Sequence, residues 1–175
     1  MTGTDVTRTV IEVTVEPYDG PAAQALAAAL TADLDVRYAE FGGADGDDPE
    51  TAALWDVRPE QVTPPAGVFL VARIDGVAVG SGAVRPLTIG EPQHGVGEIK
   101  RMYTAPGARR RGVSRAVLAR LEDEARALGY RRVVLETGSR QPEAIELYRS
   151  AGYGPATPYG QWEDDEMSVF FGKDL

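Results

Sequence analysis

Cysteine is absent from the 175-residue chain, and histidine occurs once, at His94. Without cysteine the chain can form no disulfide, no iron–sulfur cluster, no thiolate metal site and no cysteine nucleophile. A metal site built from several histidines is excluded too, and the chain has no Gly-x-Ser-x-Gly motif that could serve a Ser-His-Asp triad. His94 lies in a turn-like stretch, which favours a solvated loop histidine over one that contacts a substrate. We therefore expect no metal site.

Long apolar runs are missing as well. Residues 1–5 lack the positive start and the apolar core of a secretion signal, and no later segment approaches the ~18 apolar residues that a membrane helix needs. Apolar residues make up 43% and charged residues 26% of the chain, as in ordinary globular proteins. We expect a single domain over residues 1–175, in the cytoplasm, in which residues 1–8 could form a disordered tail.

Positive charge is scarce, with 18 Lys and Arg against 27 Asp and Glu, but it is unevenly distributed. Residues 1–100 hold 6 cations and 16 acids, whereas residues 101–132 hold nine arginines and three acids. A local cationic segment in an acidic protein indicates a compact anionic ligand, because a long polyanion would be repelled by the overall field. We therefore expect neither a nucleic acid nor a membrane as partner.

The first half of the chain alternates strand and helix patterns. A run rich in β-branched residues predicts a strand over residues 9–16, ended by Pro17. The sequence Asp19-Gly20-Pro21 predicts a helix start, and apolar residues at helical spacing extend this helix to about Tyr38. An acidic, mobile loop over residues 42–49 and a second short helix over residues 50–55 are predicted next.

A two-residue hairpin is predicted where Asp75-Gly76 joins the apolar runs 68–74 and 77–84. Downstream the patterns predict, in order, a strand over residues 96–104, a helix from Val113 closed by Gly129, a strand over 131–137, a helix over 141–151 and a last strand over 167–171. This order predicts a mixed sheet with helices on its faces, in which chemistry takes place at the carboxyl ends of strands.

The segment Arg109 to Ser114 places three cations and a glycine between a strand and a helix. The first amides of a helix lack intrahelical partners and carry about half a positive charge, so an anion can bind there. Gly112 lets that anion approach the backbone closely. The segment is neither a P-loop nor a dinucleotide-binding glycine motif. It predicts a pyrophosphate site, the alternative being a solvated basic turn.

Three segments together carry a resemblance to a known family. The motif Arg109-x-x-Gly112-x-Ser114 follows the extended stretch 98–104 and precedes Leu135-Glu136-Thr137-Gly138. The helix that comes next contains Ala-Ile-x-Leu-Tyr-x-x-x-Gly-Tyr over residues 144–153. Over residues 68–153 this combination resembles the GNAT superfamily of N-acetyltransferases. Two positions depart from the family pattern: Ser114 replaces a usual glycine or alanine, and Gln141 replaces a frequent asparagine.

The resemblance implies a mixed, mostly antiparallel central sheet of about six or seven strands flanked by about four helices. It also implies that acetyl-CoA is the cosubstrate and lies in a notch between the fourth and fifth strands, with its pyrophosphate on the amides that follow Arg109. Backbone groups at the end of the fourth strand would hold the pantetheine arm and polarise the thioester. The implied cofactor contacts are Met102, Tyr103, Thr104, Arg109, Arg110, Arg111, Gly112, Val113, Ser114 and Gln141.

Two catalytic residues follow from the same resemblance. A primary amine has a pKa of about 10.4, so it is almost fully protonated at neutral pH and needs a base. Glu98 matches a carboxylate common at its position in relatives and is the candidate base. Tyr148 matches the family's general acid, or it stabilises the leaving thiolate by a hydrogen bond. The alternatives are an exposed strand carboxylate for Glu98 and a core aromatic for Tyr148.

The acceptor side of the site is expected between the last helix and the last strand. Tyr159 and Trp162 precede an acidic run over residues 163–166, and aromatic rings beside carboxylates suit a cationic amine. A solvated acidic loop is the alternative.

The function expected from these residues is acetyl transfer from acetyl-CoA directly to the primary amine of a small molecule, such as an amino acid, a polyamine or an amino sugar, by a monomer or homodimer. Because the chain has no cysteine, a thiol acyl-enzyme is excluded. Two alternatives remain open: a non-catalytic module that senses acyl-CoA or binds a partner, and an acetyltransferase for protein N-termini or lysines.

Overall fold

A computed structural model describes residues 9–41, 57–87 and 94–175, which are built around one seven-stranded sheet. The strands are β1 (Ile11–Val15), β2 (Val68–Ile74), β3 (Val77–Pro86), β4 (Val96–Thr104), β5 (Arg132–Gly138), β6 (Gly154–Pro155) and β7 (Ser168–Asp174). The α-helices are α1 (Pro21–Arg37), α2 (Val113–Ala127) and α3 (Pro142–Ser150). The strand order is β1-β2-β3-β4-β5-β7-β6, and only β4 and β5 are parallel neighbours.

The strand predictions are confirmed, and the hairpin is confirmed in its turn geometry. Asp75 and Gly76 have φ angles of 51° and 79°, the two left-handed positions that a type I′ turn requires. Strand β7 continues to Asp174 because it pairs with the whole of β5. Strand β6 was not predicted, since two residues are too few to show alternation and only their pairing with β7 makes them a strand.

The helix predictions are confirmed for three elements. Helix α1 begins at Pro21, and α2 ends before Gly129, whose φ of 89° is the left-handed conformation expected after a helix end. The described residues hold three α-helices instead of the predicted four, because the fourth, over residues 50–55, lies outside the described residues. The predicted acidic loop over 42–49 and the tail over 1–8 also lie outside them.

Helices cover both faces of the sheet. Leu26 of α1 packs against Phe69 and Val71 on one face. Helices α2 and α3 pack on the other face, where Leu118 and Tyr148 join a larger apolar core. None of the helices within the described ranges is both long and apolar enough to cross a membrane.

The sheet splits between its two parallel strands. Strands β4 and β5 pair only through residues 96–98 and 132–134, after which β4 stays with β3 and β5 stays with β7. A β-bulge lies just past the split: Arg101 has a φ of 57°, and its carbonyl accepts a 3.0 Å hydrogen bond from Ser81 Oγ. Because a bulge bends its strand, the end of β4 diverges from β5. We call the resulting gap between β4 and β5 the notch.

Candidate active site

A cavity of about 560 Å³ opens at the notch, where the end of β4, the start of α2, α3 and one face of α1 meet. Most of the predicted cofactor contacts lie around it, although they come from three separate parts of the sequence. The predicted residues that line the cavity are Met102, Tyr103, Thr104, Arg109, Arg110, Val113, Ser114, Gln141 and Tyr148. Arg111 and Gly112 belong to the same loop but are not among the lining residues.

The first turn of α2 presents unpaired amides to this cavity. Its N-cap, Gly112, has a φ of 88° and no side chain with which to cap the helix. The first N–H groups of α2 therefore keep the partial positive charge that attracts an anion. Arg110 is exposed and lines the cavity, whereas Arg111 donates a 3.4 Å hydrogen bond to Thr9 Oγ1.

Arg109 is held by a neighbour that the sequence motif does not contain. Its Nη2 lies 2.8 Å from Asp33 Oδ1 of α1, and its Nε donates to the Thr104 carbonyl at 3.2 Å. Asp33 also accepts a 2.8 Å hydrogen bond from Arg37, and Arg37 lies 2.5 Å from Glu143 of α3. We call Arg109, Asp33, Arg37 and Glu143 the ion-pair chain. It joins three elements around the cavity.

We expect the ion-pair chain to lose its stabilising effect in acid. Partial burial opposes ionisation of Asp33, but hydrogen bonds from Arg109 and Arg37 outweigh it and hold the pKa of Asp33 below its usual range. Burial likewise opposes ionisation of Glu143, and its bond with Arg37 again gives a lowered pKa. A carboxyl pKa that is lower in the folded chain stabilises the fold above the unfolded-state pKa, and this effect is lost as the pH falls through the folded-state value.

Asp33→Asn should therefore lower the unfolding temperature at neutral pH by roughly 2 to 4 °C, and much less at about pH 2. Thermal unfolding of both proteins at the two pH values measures the difference. Asp123→Asn is the matched control, because its carboxylate is 73% exposed on α2 and should matter at neither pH. An equal effect of Asp33→Asn at both pH values would contradict this account.

Two buried hydroxyls have no hydrogen-bond partner within the described part of the chain, namely Thr104 Oγ1 and Tyr38 Oη. Thr104 lines the cavity from β4. Tyr38 follows α1 and fills the space beside Gly138 at the end of β5, where no Cβ would fit. Buried hydroxyls are normally hydrogen-bonded, so unpaired ones point to a polar ligand. A polar ligand in the cavity could supply the hydrogen-bonding partner that Thr104 lacks.

Tyr148 belongs both to the core and to the cavity. It is 4% exposed, and its ring packs 5.7 Å from that of Tyr153 and 6.0 Å from that of Phe171. Burial, and secondarily the charge of Glu136, raise the pKa of Tyr148. The phenol therefore stays protonated over the whole neutral range and can donate a hydrogen bond into the cavity that it lines.

Glu98 is 2% exposed, so the alternative of an exposed strand carboxylate is wrong. Its Oε2 accepts a 2.8 Å hydrogen bond from Arg85 Nε, and Arg85 faces it directly across the β3–β4 pair. Its Oε1 accepts a 3.3 Å hydrogen bond from Tyr159 and lies 3.6 Å from Lys100 Nζ. Glu98 is thus surrounded by three partners on the side of the sheet that α1 covers.

Glu136 is a second carboxylate near the notch, and no role could be predicted for it from the sequence. It lies on β5, is partly buried and accepts a 2.8 Å hydrogen bond from Ser168 Oγ. Burial raises the pKa of Glu136, although the charge of Lys100 and the bond from Ser168 oppose this effect. The signal that could have pointed to Glu136 is its place in the motif Leu135 to Gly138, one of the segments that carry the family resemblance.

The predicted acceptor residues have different surroundings. Tyr159 packs edge-on against Phe170 at 5.2 Å, and burial raises the pKa of its hydroxyl, which is bonded to Glu98. Trp162 is half-buried at the end of a short 3-10 helix and does not line the cavity. In the acidic run 163–166, only Asp165 is not exposed, which favours a solvated loop.

The sole histidine and the acidic groups form no metal site where the structure describes them. His94 is exposed, so the prediction of a solvated histidine is confirmed. Across residues 9–41, 57–87 and 94–175, no group of three histidine, aspartate or glutamate side chains could hold a metal ion.

The sheet splits between two parallel strands, and the uncapped N-terminus of α2 lies beside the gap, an arrangement in which an anion such as a phosphate group can bind. Residues 31–153 match the profile described as the acetyltransferase (GNAT) family, and the chain belongs to that family. Proteins of this family are acyltransferases that use acetyl-CoA as cosubstrate. The resemblance inferred from the motifs is therefore confirmed, with both its fold class and its cosubstrate.

Among similar proteins, an IAA acetyltransferase from Azospirillum brasilense is 45% identical over 107 residues, which are 61% of this chain and 67% of that protein. Further curated N-acetyltransferases align over 57 to 62% of their own length. A crystal structure of an acyl-CoA N-acyltransferase from Klebsiella pneumoniae has a TM-score of 0.72 at 30% identity, covering 95% of this chain and 98% of that one. An acetyltransferase from Salmonella typhimurium, solved with acetyl-CoA, has a TM-score of 0.64 at 20% identity, covering 94% of both chains.

Proposed function

We propose that this protein transfers an acetyl group from acetyl-CoA directly to the primary amine of a small molecule, such as an amino acid, a polyamine or an amino sugar. One observation carries the proposal. A single cavity unites an uncapped helix start, the open edge of β4 and the protonated hydroxyl of Tyr148. These are an anion site, a row of unpaired backbone groups and a proton donor.

We assign the pyrophosphate of acetyl-CoA to the first turn of α2. The amides after Gly112 and the side chain of Arg110 supply positive charge, while Ser114 keeps a small side chain at the cavity wall. Arg111 and Gly112 contribute from the loop, Gly112 through its left-handed backbone. Gln141, at the N-cap of α3, lines the opposite wall.

The open edge of β4 is assigned to the acyl arm of the cosubstrate. Beyond residue 98, β4 has no pairing with β5, so the backbone groups between Met102 and Thr104 that bond neither β3 nor Arg109 can bond an extended chain. A backbone N–H aimed at the thioester oxygen stabilises the charge that develops there, by about 3 to 4 kcal/mol for one donor. Tyr148 then stabilises the leaving thiolate by donating a hydrogen bond or its proton.

The acceptor half needs a base, because an amine with a pKa near 10.4 is protonated at neutral pH. Two carboxylates lie on the side of the sheet that α1 covers, Glu98 and Glu136. Tyr159 is bonded to the first of them, and Trp162 lies in the segment that follows, so both aromatic residues are assigned to the acceptor side. An aromatic surface beside carboxylates favours a cationic amine over an anion.

A thiol-release assay tests the proposal. The full chain and acetyl-CoA are incubated with glycine, spermidine, glucosamine or a peptide with a free N-terminus, and mass spectrometry identifies any acetylated product. The compound IAA is added to the panel because the Azospirillum relative is named for it. Small-amine turnover supports the proposal. Peptide turnover alone would favour the protein acetyltransferase, and binding of acetyl-CoA without thiol release with any acceptor would favour the sensing module.

A further inference from the structure

Two carboxylates lie on one face of the sheet, on either side of the point where it splits. Glu98 pairs with Val134 in the last β4–β5 pair. Glu136 is two residues further along β5, and because strand side chains alternate, it lies on the same face as Val134. Glu136 is thus the first residue on this face beyond the split.

The contacts of the two carboxylates differ. Glu98 is 2% exposed and is surrounded by a guanidinium, an ammonium and a phenol, those of Arg85, Lys100 and Tyr159. An incoming amine could reach it only by displacing one of these groups. Glu136 is partly exposed, and within the described ranges its carboxylate accepts one side-chain hydrogen bond, from Ser168 Oγ to Oε1. Among these residues Oε2 has no such bond, so this oxygen is the one that we assign to a substrate.

We propose that Glu136, and not Glu98, takes the proton from the acceptor amine, an assignment that rests on the proposed function. The ammonium gives one proton to the Glu136 carboxylate, and the freed nitrogen lone pair forms the C–N bond at the thioester carbon. The C–S bond breaks, and its electron pair leaves with the thiolate. The second proton lost by nitrogen passes to the thiolate by way of Tyr148, and Glu136 returns its proton to solvent. Glu98 holds Arg85, Lys100 and Tyr159 in place.

The charged groups around Glu136 come from every element packed against it. Lys100 and Glu98 lie on β4, and Asp165 precedes β7. Tyr148 of α3 and Tyr159 approach as neutral phenols whose pKa values burial has raised. Because burial also raises the pKa of Glu136 itself, its carboxylate is a stronger base than an ordinary glutamate carboxylate.

The test compares full-length wild type with Glu136→Gln, using acetyl-CoA and whichever of glycine, spermidine or glucosamine the wild type acetylates fastest. We expect kcat/KM to fall by about 100-fold or more, with the dissociation constant for acetyl-CoA unchanged in calorimetry. The wild-type profile of kcat/KM against pH should rise through an acid limb that lies above the ordinary carboxyl range. That limb should be absent from Glu136→Gln.

Two further variants move the limb in opposite directions. Lys100→Met removes a cation that lowers the pKa of Glu136, so the limb should shift to higher pH. Asp165→Asn removes a like charge that raises it, so the limb should shift to lower pH. Glu98→Gln is the control for the other carboxylate. Because Lys100→Met and Asp165→Asn both keep the Glu136 carboxylate, they show whether Glu136 produces the acid limb even if Glu98→Gln fails to fold. In a folded Glu98→Gln the limb should persist.

The results distinguish a failure of the proposed acetyltransferase function from a failure of the assignment of Glu136 as the base. A wild type that binds no acetyl-CoA, or that releases no thiol with any of the three amines, overturns the proposed function and this assignment with it. A wild type that turns over while Glu136→Gln stays within about a factor of three of its rate overturns the assignment alone. The same holds if the acid limb disappears in Glu98→Gln but not in Glu136→Gln.

Discussion

Gly112→Glu should abolish measurable binding of acetyl-CoA. Gly112 adopts a φ of 88°, a conformation that costs any residue with a Cβ about 1 to 2 kcal/mol. The new carboxylate would also lie at the unpaired amides of α2, where it competes with the phosphates and repels them. Calorimetric titration should show binding by the wild type and no heat from the variant at millimolar ligand. At 100 times the dissociation constant, the wild type should gain about 2.7 kcal/mol of stability.

Gly129→Glu is the matched control for this experiment. Gly129 has a φ of 89°, and a Cβ added there would meet nothing within 4 Å. It carries the same backbone cost and the same added charge, but lies at the opposite end of α2, roughly 20 Å away for a helix of this length. Normal binding by this variant would show that position, not strain or net charge, causes the loss. If both variants bind equally well, the phosphate site lies elsewhere.

Tyr148→Phe should lower turnover by about 100-fold while leaving acetyl-CoA binding nearly unchanged. The substitution removes only the hydroxyl, so the ring contacts with Tyr153 and Phe171 persist and the fold keeps its stability. The variant loses the proposed hydrogen bond to the leaving thiolate. Because the sulfur becomes charged only as the C–S bond breaks, this loss affects turnover and not the binding of acetyl-CoA. Steady-state thiol release and calorimetry on the same preparation measure the two effects.

Tyr153→Phe separates this role from one in packing. Tyr153 is equally buried and neighbours Tyr148, but its hydroxyl donates a 3.1 Å hydrogen bond to Glu122 on α2, away from the cavity lining. Loss of this hydrogen bond in Tyr153→Phe should lower the free energy of unfolding by roughly 1 to 3 kcal/mol and leave turnover intact. Equal losses of turnover in both variants would mean that Tyr148 acts through core packing alone.

The local elements could be predicted because their causes are local. The hairpin turn is determined by two adjacent residues that tolerate left-handed φ, Asp75 and Gly76. The end of α2 is determined in the same way by Gly129, and the apolar face of α2 follows from helical spacing. The bounds of β4 were predicted without error, since a polar segment precedes it and the turn-forming residues Pro106 and Gly107 follow it.

The partners of the site residues could not be predicted, because they are brought together across long stretches of chain. Arg109 is bonded to Asp33, which lies 76 residues earlier in the chain. Glu98 faces Arg85 only because β3 and β4 pair in one register, and a shift by one residue would reverse the side that each side chain faces. Sequence spacing therefore suggested an exposed Glu98 as readily as the buried one that the fold contains.

The sequence by itself determined the family, the order of the main elements and most of the residues that line the cavity. Those residues belong to short motifs, and a loop that leads into a helix start is specified by its own few residues. The tertiary structure alone decided where the sheet splits, how the bulge at Arg101 opens the notch and which of Glu98 and Glu136 is the more deeply buried. These properties depend on strand register and on how α1 packs over the sheet, and such long-range contacts leave no periodic pattern in the chain.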